Sequence, residues 1–333
     1  MVLPFGIQLA HEARPEINVL TLGPKEDQRV AVITGAAGFI GGYCAREFNR
    51  NGWRVVGIDR ESLSSGSELP KYLCHYELDN LADSDRLSAV FEKVAPSVII
   101  HAAGPANVGR SFREPAIDFR DHVAPWSVVL EGIRRAALDV VVVLCSSAAV
   151  YGSPPDLPIR ESTRVQPISP YGYHKLIKEL LLQEYVSVFK VRGTAARIFS
   201  TFGPGLRQLA VWEITKRLMC GDFRLEGTGL ETRDYLYIED VAAALYCIGQ
   251  SGPHGGEPIN VASGLETEIG QLAGCLAREC GYSDVEFAYE SRPGIGKPSR
   301  WCADVTLLSR TGFVPIHSFG TALSQTVKWI RAQ

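Results

Sequence analysis

The chain has 333 residues, 46% hydrophobic and 21% charged, with 32 Gly and 19 Pro spread along it. This is an ordinary globular composition, long enough for about two domains or one large α/β unit with an added lobe, and it excludes collagen and disorder. With 34 Lys plus Arg against 37 Asp plus Glu the formal net charge is -3, so no overall basic field exists to hold nucleic acid or an anionic membrane, and any anion must be bound locally.

Residues 1–28 carry Pro4, Pro15 and Pro24 without a sustained period and read as an extension ahead of the first core strand. From Arg29 short β-branched runs alternate with longer amphipathic stretches, the pattern of βαβ units around a buried parallel sheet. Strands are expected at 30–34, 54–59, 72–78, 97–101, 140–146 and 193–199. Helical crossovers between most of them predict an α/β fold, a Rossmann-type doubly wound parallel sheet. After Phe199 the elements shorten: helices near 209–220, 239–249, 267–280 and 318–331, and a strand near 223–225. These predict a smaller mixed lobe, so the expected division is 1–28 extension, 29–199 dinucleotide-binding domain and 200–333 substrate lobe, with some segments crossing.

Directly after the first strand, Thr34-Gly35-Ala36-Ala37-Gly38-Phe39-Ile40-Gly41 opens a helix. Gly35, Gly38 and Gly41 permit a tight turn that lets backbone amides at the helix N-terminus approach a pyrophosphate. Asp59 ends the second strand, where a carboxylate accepts hydrogen bonds from the adenosine ribose and repels a 2′-phosphate. That favours NAD over NADP, with Arg60 beside it acting in the opposite sense. Asp79 after the third strand is either an adenine contact or a solvated loop carboxylate. His101, ending the fourth, reads as a core histidine. Ser147 follows the fifth strand, at the carboxyl edge where open sheets bind ligands.

Further on, Pro170 starts a helix in which Tyr171 and Lys175 lie four residues apart and share a face. A phenol near pKa 10 needs a nearby cation to act as a base at neutral pH, and Lys175 supplies one. The eight cysteines have neither CxxC pairing nor a following His cluster, so no metal or redox site is expected. No apolar run approaches the ~18 residues of a membrane span. No basic-then-apolar export pattern opens the chain, and a cytoplasmic protein is expected.

The motifs TGAAGFIG at Thr34, HAAG at His101, SSAAVYG at Ser146, SPYGYHK at Ser169, ARIFSTFGPG at Ala196, TRDYLYIEDVA at Thr232, and RPG followed by CAD at Asp304 resemble the extended short-chain dehydrogenase/reductase family. The resemblance is to its NAD-dependent sugar-nucleotide epimerase/dehydratase branch and runs from Arg29 to the end. It implies Tyr171 as base, Lys175 as ribose binder and phenolate stabiliser, and Ser147 as hydroxyl partner. Asn80, Ala102 and Ala103 are implied beside the cofactor, and Arg233 and Arg292 on a nucleotide diphosphate, with Ser200 and Trp301 bordering the substrate. A homodimer built on stretches 118–137 and 171–189 is implied as well.

Departures from the pattern narrow the chemistry. Where dehydratases of the branch carry an acidic pair after the catalytic hydroxyl, this chain has Ala148 and Ala149, and alanine is no general acid. His122 and Ser200 stand where Asn is usual, Ile295 where Asp is common, and Arg292 to Asp304 is longer than usual. The expected function is a nucleotide-sugar 4-epimerase working through transient C4 oxidation, with Trp301 excluding an N-acetyl group. The alternatives are a dehydratase with a relocated acid, an NAD(P)H-linked 4-ketosugar reductase, and a catalytically silent dinucleotide-binding protein.

Overall fold

The structure is a computed structural model and describes residues 29–63, 67–78, 80–290, 296 and 298–333. The expected extension 1–28 and the candidate residues Asp79, Arg292 and Ile295 lie outside the described residues.

Seven parallel strands form the main sheet: β1 (Val30–Thr34), β2 (Arg54–Asp59), β3 (His75–Leu78), β4 (Val98–His101), β5 (Val141–Ser147), β6 (Arg192–Ile198) and β10 (Gly255–Val261). Their order is β10-β6-β5-β4-β1-β2-β3, so the winding reverses between β1 and β4. The carboxyl ends of those two strands flank the crevice in which such sheets bind ligands. Successive strand residues serve opposite faces, and the central strands β1, β4 and β5 are mostly apolar because both faces are covered. Ile33, Val55, Ile100 and Val143 pack under α1 (Phe39–Arg50) and α7 (Ile238–Ser251). Val32, Ile58, Ile99 and Val142 pack on the other side, under α2 (Ser84–Val94), α4 (Pro115–Arg135) and α5 (Pro170–Phe189). Each fully buried aliphatic side chain there contributes roughly 1.5–3 kcal/mol.

The second body contains the three-stranded sheet β11 (Glu266–Glu268), β9 (Thr232–Tyr237) and β7 (Ser200–Phe202), and the parallel pair β8 (Arg224–Glu226) and β12 (Ala288–Glu290). Helices α6 (Leu209–Met219), α8 (Ile269–Glu279), α10 (Phe319–Arg331) and the short α9 (Thr306–Ser309) pack around it, while the short α3 (Val108–Arg113) packs against α4 and α5. Among the described residues no helix is long and apolar enough to cross a membrane.

Two boundaries differ from expectation for local reasons. Residues 72–74 are not strand: Pro70 sets a 3-10 turn over Leu69–Tyr72, and β3 starts only at His75. The helix expected from 267 starts at Ile269, because Thr267 and Glu268 belong to β11 and the Glu268 side chain caps the helix. A strand outside the expectation, β10, returns from beyond Phe199 to the edge of the large sheet beside β6.

Candidate active site

A cavity of about 1020 Å³ runs from the carboxyl edge of the large sheet into the second body. Its cofactor end is shaped by backbone. Gly35 has φ +72°, and a Cβ there would stand 2.6 Å from Ala103 N; a Cβ on Gly41 would stand 2.1 Å from the Gly35 carbonyl oxygen. Glycine is therefore required at both positions. Gly38 caps α1 without any side-chain bond, leaving the first-turn amides, those of Phe39, Ile40 and Gly41, for an anion. At the end of β2 the Asp59 carboxylate accepts from Ala37 N at 2.9 Å and from Glu61 N at 3.1 Å. Arg60 is turned to Glu61, 3.6 Å away. Ala102 lines the cavity, Ala103 follows it, and Asn80 is exposed beyond β3. A cradle that a Cβ would fill, free helix-start amides and an anchored carboxylate at the second strand's end fit a dinucleotide without a 2′-phosphate.

Beyond this lies the chemical end. Ser147 closes β5, its Oγ accepting from Ala149 N at 3.2 Å. Ser169 caps α5 by accepting from Gly172 N at 3.1 Å, and Pro170 occupies the first turn. The helix start is pressed onto the turn after β5: a Cβ on Gly172 would lie 2.6 Å from the Ala149 carbonyl oxygen. Tyr171 and Ser147 thereby line one cavity together with Lys175. Tyr171 and Lys175 are 8% and 7% exposed, and Lys175 Nζ donates to the Cys145 carbonyl at 2.9 Å, 5.5 Å from the Tyr171 ring centre. The amine is thus held by a strand carbonyl beside the phenol, with no carboxylate paired to it among the described residues.

His122 packs its ring edge-on against Tyr171, centroids 5.5 Å apart. Burial, then Lys175, then Lys178 push its pKa far down, which favours the neutral imidazole. Asp118 on the same helix holds His174 Nδ1 at 2.6 Å, pinning α4 to α5. His101 is a core histidine as expected, bonded through Nδ1 to Thr34 Oγ1 at 2.8 Å and tilted over Trp126.

At the far end Arg233 is bonded through Nη1 to the Thr232 carbonyl at 2.7 Å, and its guanidinium lies 5.5 Å from the Trp301 ring centre. It forms no ion pair among the described residues, and burial lowers its pKa. Trp301 is fixed by its indole N–H, which donates to the Gly152 carbonyl at 2.9 Å, and by the edge of Phe199. Ser200 lines the same region. Sequence reasoning missed Tyr235 and Thr201, whose buried hydroxyls lack partners among the described residues and which line the cavity. For Tyr235 the signal was available: strand alternation puts it on the face of Arg233. The cavity-lining carboxylates among the described residues are Glu213, Glu226 and Glu231, on α6, β8 and the turn before β9. Glu231 is engaged by the Thr228 and Gly229 amides of that turn. No group of side chains able to hold a metal occurs among the described residues.

Residues 31–262 match the model of the NAD dependent epimerase/dehydratase family. A UDP-glucose 4-epimerase of Mycolicibacterium smegmatis is 30% identical over 315 residues, covering 90% of this chain and 98% of that protein. A dTDP-glucose 4,6-dehydratase of Salmonella typhimurium is 27% identical over 338 residues, covering 90% and 92%. The crystal structure of UDP-glucose 4-epimerase from Thermotoga maritima, with UDP-glucose, superposes with a TM-score of 0.80 at 28% identity, covering 91% of this chain and 99% of that one. On this sequence match and this geometry the chain belongs to the NAD-dependent epimerase/dehydratase family, within the extended short-chain dehydrogenases/reductases, and NAD is its cofactor.

Proposed function

We propose that the protein is a nucleotide-sugar 4-epimerase in which Ser147, Tyr171 and Lys175 handle the proton of the sugar 4-hydroxyl. One observation carries the choice of epimerase over dehydratase: Ala148 and Ala149 follow Ser147, and the cavity's described carboxylates sit on α6, β8 and the Glu231 turn rather than beside it.

Tyr171 takes the proton from the 4-hydroxyl as C4 is oxidised and returns it when C4 is reduced. Lys175 holds the phenolate between those two steps, since a nearby cation lowers a phenol's pKa. Ser147 hydrogen-bonds the substrate oxygen and keeps it in line with the phenol. The glycine turn of Gly35, Gly38 and Gly41 and the Asp59 carboxylate would hold NAD, which would supply reversible hydride acceptance at C4. Arg233 holds the diphosphate with its guanidinium fork while the 4-ketose turns over inside the cavity, and Arg292 is assigned the same task. Return of that hydride to the opposite face would invert C4 with no net redox. Trp301, fixed between Gly152 and Arg233, walls the sugar and excludes an N-acetyl substituent.

The proposal is tested by incubating the enzyme with a panel of nucleotide sugars and following products by NMR. UDP-glucose comes first, as the sugar nucleotide bound in the Thermotoga structure. Inversion at C4 without change in nicotinamide absorbance is expected. Net oxidation of added NADPH would reassign the enzyme as a reductase, and a 4-keto-6-deoxy product as a dehydratase. Phe119, Tyr173, Leu180, Val188 and Phe189 leave α4 and α5 with exposed apolar surface, and we assign that face to a homodimer. Light scattering at micromolar concentration should give twice the chain mass.

A further inference from the structure

Lys178 is not used in the steps above, yet it is fully buried. It follows Lys175 by three residues and Tyr171 by seven, so the three side chains occupy one face of α5. Its Nζ reaches the Ala103 carbonyl at only 3.4 Å and lies 5.8 Å from the centre of the Trp126 ring. Among the described residues it has no ion pair. The neighbouring residue on the helix shows the contrast: Glu179, also buried, is matched by Arg197 at 2.7 Å. The groups facing Lys178 are His101 and Cys145 from the sheet, His122 from α4 and Lys175 on its own helix. The carboxylate in this region, Asp118, is held by His174 at 2.6 Å, with His122 3.7 Å from its other oxygen.

A buried amine without a carboxylate destabilises a fold, and an apolar side chain of the same length would fill the space without that penalty. Such groups concentrate where their electrostatics are used. We infer that Lys178 is a positioning residue for the proposed base: a second, concealed amine whose proton sets the positive potential in which the Tyr171 hydroxyl and the Lys175 ammonium work. This rests on Tyr171 being the base.

Burial, reinforced by Lys175, holds Lys178 well below the ordinary lysine range, so it charges only as the pH falls. A cation at that place favours the ionised phenol, so the base stays competent further into acid. Seven residues at about 1.5 Å rise put the two groups roughly 10 Å apart along the helix. At an effective dielectric near 20, a unit charge at that range moves a pKa by about one unit.

The test compares the full-length, cofactor-loaded enzyme with Lys178→Met and Lys178→Gln. In both variants the acid limb of kcat/KM should move up by about one pH unit, with the loss confined to the acid side. The tyrosinate absorbance assigned to Tyr171, with Tyr171→Phe as blank, should move by the same amount. A lysine whose folded pKa is lowered binds its proton better in the unfolded chain, so the stability gain of Lys178→Met should grow as pH falls from about 10. An unchanged acid limb in both variants overturns the inference. So does parental behaviour of Lys178→Gln beside an impaired Lys178→Met, because glutamine still donates to the Ala103 carbonyl. Should Tyr171→Phe keep parental turnover, the base assignment itself falls, whatever Lys178 does; a dead Tyr171→Phe with an unshifted Lys178 profile removes Lys178 alone.

Discussion

The cofactor end is a continuous sheet edge: Asp59 and Ser147 end β2 and β5, Gly35 and Ala102 follow β1 and β4, and the strands are fixed by parallel pairing across the sheet. At the substrate end the wall comes from separate segments held by side chains. Asp234, fully buried, accepts from Ser263 N and Oγ at 2.7 Å, Gly264 N at 2.9 Å and Ala303 N at 3.1 Å. The Trp301 indole holds Gly152, and Gln208 reaches the Ala106 carbonyl at 3.2 Å. A wall made by strand pairing tolerates little change in shape, whereas one assembled from loops can be re-cut by changing a few side chains. Chemistry common to a family belongs at the first end and substrate choice at the second.

The two ends are joined by one buried network, and breaking it should have the largest effect. Arg197 grips Glu179 at 2.7 Å and bonds Tyr151 Oη at 2.9 Å; Tyr151 Oη donates to Asn260 Oδ1 at 2.7 Å, and Asn260 Nδ2 bonds the Ile159 and Asp304 carbonyls. Arg197→Met leaves Glu179 buried without its cation and should cost about 3–5 kcal/mol of stability by denaturant titration. Replacing Glu179 by Leu in the same chain should return much of the loss. If the single variant is as stable as the parent, the two ends are not coupled through this network.

Next in size is Tyr171→Phe, expected to lower kcat by about 10²-fold or more, the scale of losing a general base, while NAD binding by calorimetry stays unchanged. Parental turnover would move the chemistry away from the sheet edge. Arg233→Met should act at the other end. Its guanidinium carries no competing ion pair among the described residues, and the bond to a diphosphate proposed for it would be worth about 1.5–3 kcal/mol. KM for the nucleotide sugar should rise about tenfold or more, with kcat changing less. A fall in kcat at constant KM would mean that Arg233 serves the transition state rather than the diphosphate.

The same contrast explains what could be read in the sequence. The first strands and α1 follow from local signals: β-branched runs, a glycine turn, and a helix of period 3.6 beginning where that turn ends. Tyr171 and Lys175 were legible because four residues is itself a helical distance. By contrast β10 opens with Gly255, Gly256 and Pro258, which read as a turn, and only pairing with β6 makes it a strand. The three-residue strands β7, β11 and β12 are too short to show a period. No local signal marks Lys178; its burial depends on Trp126 and His101, contributed from 52 and 77 residues away.

The smallest effect expected belongs to Asp59, and it tests whether the first end selects its cofactor by charge or by shape. The carboxylate is anchored by the Ala37 and Glu61 amides, so it cannot swing aside for a 2′-phosphate. Arg60, the next residue in the chain, is drawn to Glu61 at 3.6 Å instead of standing ready for that phosphate. Asp59→Asn keeps an oxygen to accept from the Ala37 amide and removes the charge. The ratio of NADP to NAD affinity, measured by calorimetry, should then rise about fivefold, near 1 kcal/mol, because the lost repulsion acts at a partly solvated site. An unchanged ratio would place the discrimination in the backbone of the turn, in the tight approach of Gly35 to Ala103, and not in the acid that ends β2.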